Sequence, residues 1–153
     1  MEDNKIHVTW QEMTNFVDKL IKELESKNIH PTGVYGVPRG GMILATLISY
    51  KLDIPLLLNA SKGCLIVDDI ADSGRTLLHF TENDTQFNKY YIATMFYHKR
   101  SIVKPDFYVF EKTDKWVIFP WEEWFSNLLK FSLIFRLNYI CKAATPTIFM
   151  YKT

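Results

Sequence analysis

Residues 64–80 read CLIVDDIADSGRTLLHF, in which four apolar residues are followed at once by two adjacent carboxylates. A third carboxylate, Asp72, comes before a Ser-Gly-Arg-Thr run and a second apolar segment. The first apolar run is typical of a buried strand, and the second is typical of the start of a helix. Because adjacent like charges repel, we expect a ligand or a cation to balance this acidic loop.

Helical and apolar segments alternate around this stretch. Thr9 and Glu12 have the spacing of a capping box, and apolar residues then recur at helical intervals up to Leu24. Strands are predicted at GVYGV, IPLLL, CLIV and YYIATMFYH, helices at MILATLISYKL and from TLLHF onward, and extended segments at DFYVF and WVIFPWEEW. Wholly apolar strands are typical of a parallel sheet covered on both faces. The pattern therefore predicts an α/β fold with a central, mainly parallel sheet flanked by helices.

The composition is that of a compact protein with a substantial core. The chain has 153 residues, 48% of them hydrophobic and 15% aromatic, which excludes a disordered chain. A net charge of +1 gives no reason to expect a nucleic acid partner. Only Cys64 and Cys141 occur, which fits a reducing compartment, and MEDNKIHVTW has no secretory signal. We therefore expect a cytoplasmic protein.

The end of the chain differs from the rest, because every acidic residue lies at or before Glu123. Four separate cations follow it: Lys130, Arg136, Lys142 and Lys152. The apolar segment LLKFSLIFRLNYIC contains two of them and is too short for a membrane span. Its apolar surface favours self-association, so we expect a homo-oligomer. We divide the chain into a domain at 1–124 and a basic, apolar tail at 125–153 without an assigned role.

The acidic loop also has the residues of a phosphate site. In an open α/β sheet, ligands bind beyond the carboxyl ends of the strands. Ser73, Gly74, Arg75 and Thr76 would present backbone N–H groups and hydroxyls at a helix N-terminus, where a phosphate binds well. A sugar phosphate would bring hydroxyls to the carboxylates, and Mg²⁺ would neutralise an additional pyrophosphate. The alternative is that the aspartates are only turn and cap residues.

The segment VDDIADSGRT resembles the ribose-phosphate signature of type I phosphoribosyltransferases, enzymes that use phosphoribosyl pyrophosphate. The resemblance implies that Asp68 and Asp69 face the ribose hydroxyls, directly or through a Mg²⁺ ion on Asp69. It also implies that the loop Ala71–Thr76 binds the 5-phosphate. Because successive strand residues point to opposite faces, we expect Asp68 and Asp69 to have different roles.

In purine-specific members of the family, the third carboxylate is the proposed general base at the purine N7, which here is Asp72. Loss of pyrophosphate develops positive charge on the sugar, and fixed carboxylates nearby stabilise that charge. Crowding of the three carboxylates should also raise the proton affinity of at least one of them, as a base near neutral pH requires.

A second motif, YGVPRGG, follows another predicted strand. Gly40 and Gly41 permit a close approach of the backbone to an anion, and Arg39 offers a planar fork of donors to phosphate oxygens. The motif resembles the pyrophosphate-binding loop of the same family. That resemblance implies that Arg39 and the amides of Gly40 and Gly41 hold the departing pyrophosphate. An ordinary turn is the alternative.

The aromatic segment after the last long strand is a candidate base site. Its W-V-x-x-P-W-E spacing is similar to the hood of bacterial xanthine-guanine phosphoribosyltransferases, and the hood would cover roughly residues 99–124. The resemblance implies that Trp116 stacks on a purine, that Lys99 donates to its exocyclic oxygen and that the backbone of Val117 reads the ring edge. Lys104 is a second possible donor, and an aromatic core cap is the alternative for Trp116.

Taken together, these resemblances imply a Mg²⁺-dependent purine phosphoribosyltransferase of purine salvage. It would transfer ribose 5-phosphate from phosphoribosyl pyrophosphate to xanthine, guanine or hypoxanthine and release pyrophosphate. Family members usually carry a long mobile loop before the acidic strand, whereas only NASKG stands there in this chain. The alternative is therefore a non-catalytic sensor that binds phosphoribosyl pyrophosphate or a nucleotide on the same fold.

Overall fold

A computed structural model describes residues 4–82 and 89–122. Its main sheet has four parallel strands in the order β2-β3-β4-β5, and a separate parallel pair is formed by β1 and β6. The strands are β1 (Lys5–His7), β2 (Val34–Gly36), β3 (Leu65–Ala71), β4 (Tyr91–His98), β5 (Phe107–Lys112) and β6 (Trp116–Ile118). The helices are α1 (Trp10–Ser26), α2 (Gly40–Leu52) and α3 (Arg75–Glu82). The predicted α/β class with a parallel sheet is confirmed.

Helices cover both faces of the main sheet. The capping box at the start of α1 is present, since the Thr9 hydroxyl accepts from the Glu12 N–H at 3.2 Å and the Glu12 carboxylate accepts from the Thr9 N–H at 2.7 Å. The buried side of α1 and that of α2 pack on one face, together with Leu65 and Val67 of β3. Leu77 of α3 packs with the other face. The strands are apolar on both sides because both faces are buried.

The prediction of a strand at IPLLL is wrong. The segment runs beside β2 but makes a single isolated bridge, between Val34 and Leu56. The Val34 N–H donates to the Pro55 carbonyl at 2.9 Å, and the Leu57 N–H donates to the Val34 carbonyl at 2.8 Å. Pro55 has no N–H to donate, and Leu58 is almost fully exposed, so pairing with β2 does not extend further.

The end of β3 also differs from the prediction. The apolar run CLIV was expected to end the strand, but β3 continues to Ala71 and includes Asp68 and Asp69. Its parallel register with β4 is kept throughout, from Leu65 opposite Tyr91 to Ala71 opposite Tyr97. The acidic pair therefore lies within a central strand, and only Asp72 and the residues after it form the loop.

The amino-terminal strand holds the hood, which the sequence did not indicate. Ile6 of β1 pairs with Val117 of β6, and the Trp116 N–H donates to the Asn4 carbonyl at 3.0 Å. Beyond β6, the rings of Phe119 and Trp121 stack with their centroids 4.7 Å apart. The predicted tail at 125–153 lies outside the described residues.

Candidate active site

Many of the predicted site residues line two neighbouring cavities at the carboxyl end of the main sheet. The main cavity, of about 670 Å³, is lined on its polar side by Arg39, Gly40, Asp68, Asp69, Thr76 and Glu122. The hood cavity, of about 300 Å³, is lined by polar residues that include Asp69, Asp72, Arg100, Lys112 and Asp114, and by Trp116 and Val117. Asp69 and Glu122 line both cavities, so the two cavities are direct neighbours.

Both residues of the acidic pair line the main cavity, and Asp69 also lines the hood cavity. The Asp69 N–H donates to Asp68 Oδ1 at 2.9 Å, and the Ile70 N–H donates to Asp69 Oδ1 at 2.8 Å. Each carboxylate thus folds back onto the next residue of its own strand.

Burial raises the pKa of Asp68 to about 8, and the negative charge of Asp69 adds to this effect. Burial also raises the pKa of Asp69, although the hydrogen bonds that its carboxylate receives lower that pKa in part. The predicted rise in proton affinity is therefore confirmed for the acidic pair, with desolvation as its largest cause. A cation or a hydroxyl-bearing ligand in the cavity would stabilise the ionised pair.

The predicted pyrophosphate loop lies directly against the acidic pair. Helix α2 begins at Gly40, and the Pro38–Arg39 peptide bond before it is cis. A Cβ atom on Gly40 would overlap the Asp69 carboxylate, and one on Gly41 would overlap the Val67 carbonyl oxygen. The two glycines therefore let the helix N-terminus pack closely on β3. Arg39 and Gly40 line the main cavity, and no side chain within the described residues caps the first turn of α2.

The predicted 5-phosphate loop is formed by the turn between β3 and α3. Gly74 has a φ of 76°, and a Cβ atom there would overlap the Ser101 hydroxyl oxygen. The Ser73 carbonyl accepts from the Ile102 N–H at 3.1 Å, which fixes the turn to the segment after β4. Thr76 lines the main cavity, whereas Ala71 is buried in the core beneath α3. Arg75 is the first residue of that helix.

Asp72 lies in the hood cavity, together with Trp116 and Val117. Its Oδ1 atom accepts from Arg100 Nε at 3.1 Å and from Arg100 Nη2 at 2.7 Å, and Lys112 Nζ is 3.8 Å away. The predicted base and the predicted stacking platform are thus brought together. Neither Arg100 nor Lys112 was predicted.

Lys99 is a predicted base-binding residue that lines neither cavity. Its Nζ atom is 3.1 Å from the Glu111 carboxylate, its side chain is 76% exposed, and it does not line the hood cavity. Lys112 lines that cavity instead, with a side chain that is only 8% exposed. The reason is the parallel register of β4 and β5, which sets Lys112 opposite His98 at the edge of the cavity.

The aromatic residues of the hood divide into two kinds. Trp116 is 68% exposed and lines the hood cavity, so one of its faces is available to a planar ligand. Val117 is buried and fixed by its pairing with β1. Trp121 stacks on Phe119 and contacts Trp10 edge-on, as an aromatic cap does.

The chain is similar over most of its length to a purine phosphoribosyltransferase from Pyrococcus horikoshii of known structure. The two are 31% identical, with a TM-score of 0.67, over 78% of this chain and 94% of that chain. The chain belongs to the type I phosphoribosyltransferase family. As a member of this family it is a transferase enzyme.

Two further proteins are similar to this chain. The xanthine-guanine phosphoribosyltransferase of Cereibacter sphaeroides is 27% identical to this phosphoribosyltransferase over an alignment of 146 residues. The match covers 76% of this chain and 86% of the relative. The structure of the Helicobacter pylori xanthine-guanine-hypoxanthine phosphoribosyltransferase shares its fold, with a TM-score of 0.68 and 24% identity over 82% of this chain and 99% of that chain. No protein-family model matches the chain. Among the described residues, no helix has the length and apolar character to cross a membrane.

Proposed function

We propose that this phosphoribosyltransferase transfers ribose 5-phosphate from phosphoribosyl pyrophosphate to a 6-oxopurine, which is xanthine, guanine or hypoxanthine. The observation that carries the proposal is that two neighbouring cavities share Asp69 and Glu122 in their linings. A charged donor fits the main cavity, and a planar base fits the hood cavity beside Trp116. The names of the relatives support a purine as the acceptor.

The main cavity offers a separate group to each part of the donor. The turn Ser73–Thr76 at the start of α3 would bind the 5-phosphate through its N–H groups. Arg39 and the uncapped N-terminus of α2 would bind the pyrophosphate. The acidic pair, which lines the same cavity as Arg39 and Thr76, would accept hydrogen bonds from the ribose hydroxyls.

The acidic pair also fits a Mg²⁺ ion. Mg²⁺ is usually bound by one or two carboxylates together with water and substrate phosphates, and Asp68 and Asp69 are two buried carboxylates on one cavity. Within residues 4–82 and 89–122 no group of three or more acidic, His or Cys side chains forms a protein-only metal site. Asp69 and Asp68 would hold the ion, which would neutralise charge on the pyrophosphate.

The hood cavity would bind and deprotonate the base. Trp116 would stack on the purine, Lys112 rather than Lys99 would donate to its exocyclic oxygen, and the backbone of Val117 would read the ring edge. The bond between ribose C1′ and the pyrophosphate oxygen breaks, and a bond from a purine nitrogen to C1′ forms. The proton that the purine loses would pass to Asp72.

The test is incubation of the full chain with phosphoribosyl pyrophosphate, Mg²⁺ and each of xanthine, guanine and hypoxanthine. We expect nucleoside monophosphate and pyrophosphate in equal amounts, and none with adenine or uracil. Binding of phosphoribosyl pyrophosphate without formation of any nucleotide would refute transfer and favour the sensor alternative. That alternative arises because the short segment at residues 59–63 leaves little room for a closing loop. The family assignment supports the enzyme over the sensor.

A further inference from the structure

The carboxylate of Asp72 is held from one of its two oxygens. In the parts of the chain that the structure describes, its hydrogen bonds and ion pairs all go to Oδ1: Arg100 Nε at 3.1 Å, Arg100 Nη2 at 2.7 Å and Lys112 Nζ at 3.8 Å. Oδ2 makes no such contact within those residues, and the half-exposed side chain of Asp72 lines the hood cavity together with Arg100 and Lys112. The side chain therefore has one anchored oxygen and one that a ligand can reach.

We propose that Arg100 is a positioning residue for Asp72. It fixes the orientation of the carboxylate through Oδ1 and so presents Oδ2 to the proton that the purine loses. The planar guanidinium suits this role, because two of its donors converge on one oxygen and limit rotation of the carboxylate. The inference rests on the proposed function, since it assigns Arg100 to the purine side of that reaction.

Arg100 is itself held by two groups other than Asp72. Its backbone N–H donates to His98 Nδ1 at 3.0 Å, and its Nη1 atom is 3.8 Å from Asp114 Oδ1. His98 Nε2 is 3.4 Å from the same Asp114 oxygen. The end of β4 thus anchors the backbone of Arg100, and the loop after β5 brings a second carboxylate to its guanidinium before any substrate binds. A ligand atom close to Oδ2 would therefore meet a carboxylate of fixed orientation.

The contact has little to do with folding stability. The side chains of Arg100 and Asp72 are 56% and 44% exposed, and exposed ion pairs contribute about 0–1 kcal/mol. The neighbouring Lys99 makes a comparable exposed ion pair with Glu111, away from the hood cavity. Lys99 is therefore a matched control, because its loss removes the same charge and leaves Asp72 unaffected.

The experiment compares Arg100→Gln, Arg100→Lys and Lys99→Gln in the full chain, each also combined with Asp72→Asn. We expect Arg100→Gln to lower kcat about 10- to 100-fold, a share of what acid–base catalysis contributes, with the KM for phosphoribosyl pyrophosphate changed less than about twofold. Arg100→Lys should recover part of the loss. In the Asp72→Asn background, Arg100→Gln should change kcat less than about twofold, because the group it positions is gone.

An unchanged kcat in Arg100→Gln would overturn the inference, as would an equal loss in both backgrounds or an equal loss in Lys99→Gln. Urea unfolding of each variant separates these results from loss of the fold, since we expect unchanged midpoints. A wild-type chain that forms no nucleotide with any 6-oxopurine would overturn the proposed function, and the inference with it. An active wild type with an indifferent Arg100 would overturn the inference alone.

Discussion

Replacing Asp68 by Asn should stabilise the protein while it abolishes transfer. Burial and the charge of Asp69 raise the pKa of Asp68 from 3.8 to about 8. One pKa unit corresponds to about 1.36 kcal/mol. At pH 7 the unfolded chain has this site ionised, roughly three units above its ordinary pKa, while the folded chain still holds the proton, so the site disfavours the folded state by about 4 kcal/mol relative to low pH. The substitution removes the charge and keeps the shape of the side chain.

The sign of the pH dependence follows from the direction of the shift. Because the folded state holds the Asp68 proton more tightly, its stabilising effect is complete below about pH 4 and is lost as the pH rises through about 8. We expect the wild-type free energy of unfolding to fall over that range and that of Asp68→Asn to fall much less. At about pH 8 the variant should be more stable by about 2–4 kcal/mol, since the Asn oxygen can still accept from the Asp69 N–H.

Urea unfolding followed by circular dichroism measures this difference at several pH values. Asp18→Asn is a suitable control, because Asp18 is an exposed partner of Lys51 on α1. Millimolar Mg²⁺ with phosphoribosyl pyrophosphate should stabilise the wild type and have little effect on Asp68→Asn. A wild-type stability that does not change with pH, or a variant less stable at pH 8, would refute the reasoning.

Three other substitutions separate the parts of the site. Lys112→Met should raise the KM for the 6-oxopurine about 10- to 100-fold in steady-state kinetics, because it removes a charged donor from the hood cavity. Lys99→Met should change this KM less than about twofold. Equal effects of the two substitutions would contradict the assignment of Lys112 as the donor. Trp116→Ala should weaken nucleotide binding by about 1–3 kcal/mol, measured by calorimetry, and Trp116→Phe should weaken it much less. Equal losses of binding in the two variants would exclude stacking on Trp116. Gly40→Ala should lower the free energy of unfolding by about 1–3 kcal/mol, because the new methyl group overlaps the Asp69 carboxylate. A denaturation midpoint equal to that of the wild type would contradict this packing.

Local sequence patterns predicted the long elements of the fold well. Helix α1 has both a capping box and a regular apolar face, and both signals depend only on neighbouring residues. The end of β3 could not be predicted in this way. The carboxylates of Asp68 and Asp69 accept from the N–H groups that follow them, and this bonding keeps the acidic pair inside the strand against the usual preference.

The candidate site was predicted where it depends on continuous motifs and missed where it depends on pairing between distant segments. The acidic loop and the Arg39 turn are continuous in sequence, and the sheet brings both to one cavity. Lys112 reaches the hood cavity only through the register of β4 and β5, which no local pattern specifies. The assigned roles of Asp69 toward Mg²⁺ and of Asp72 toward the purine stay predictions.

The pairing of β1 with β6 has a practical consequence for the design of recombinant protein. Lys5–His7 supports the strand that carries Trp116, and the Asn4 carbonyl is bonded to the backbone of that tryptophan. Removal of Asn4–His7 would therefore take away the backbone support of the strand that carries the proposed purine platform. A variant without these four residues should bind the purine more weakly, whereas its affinity for the phosphorylated donor should be unchanged.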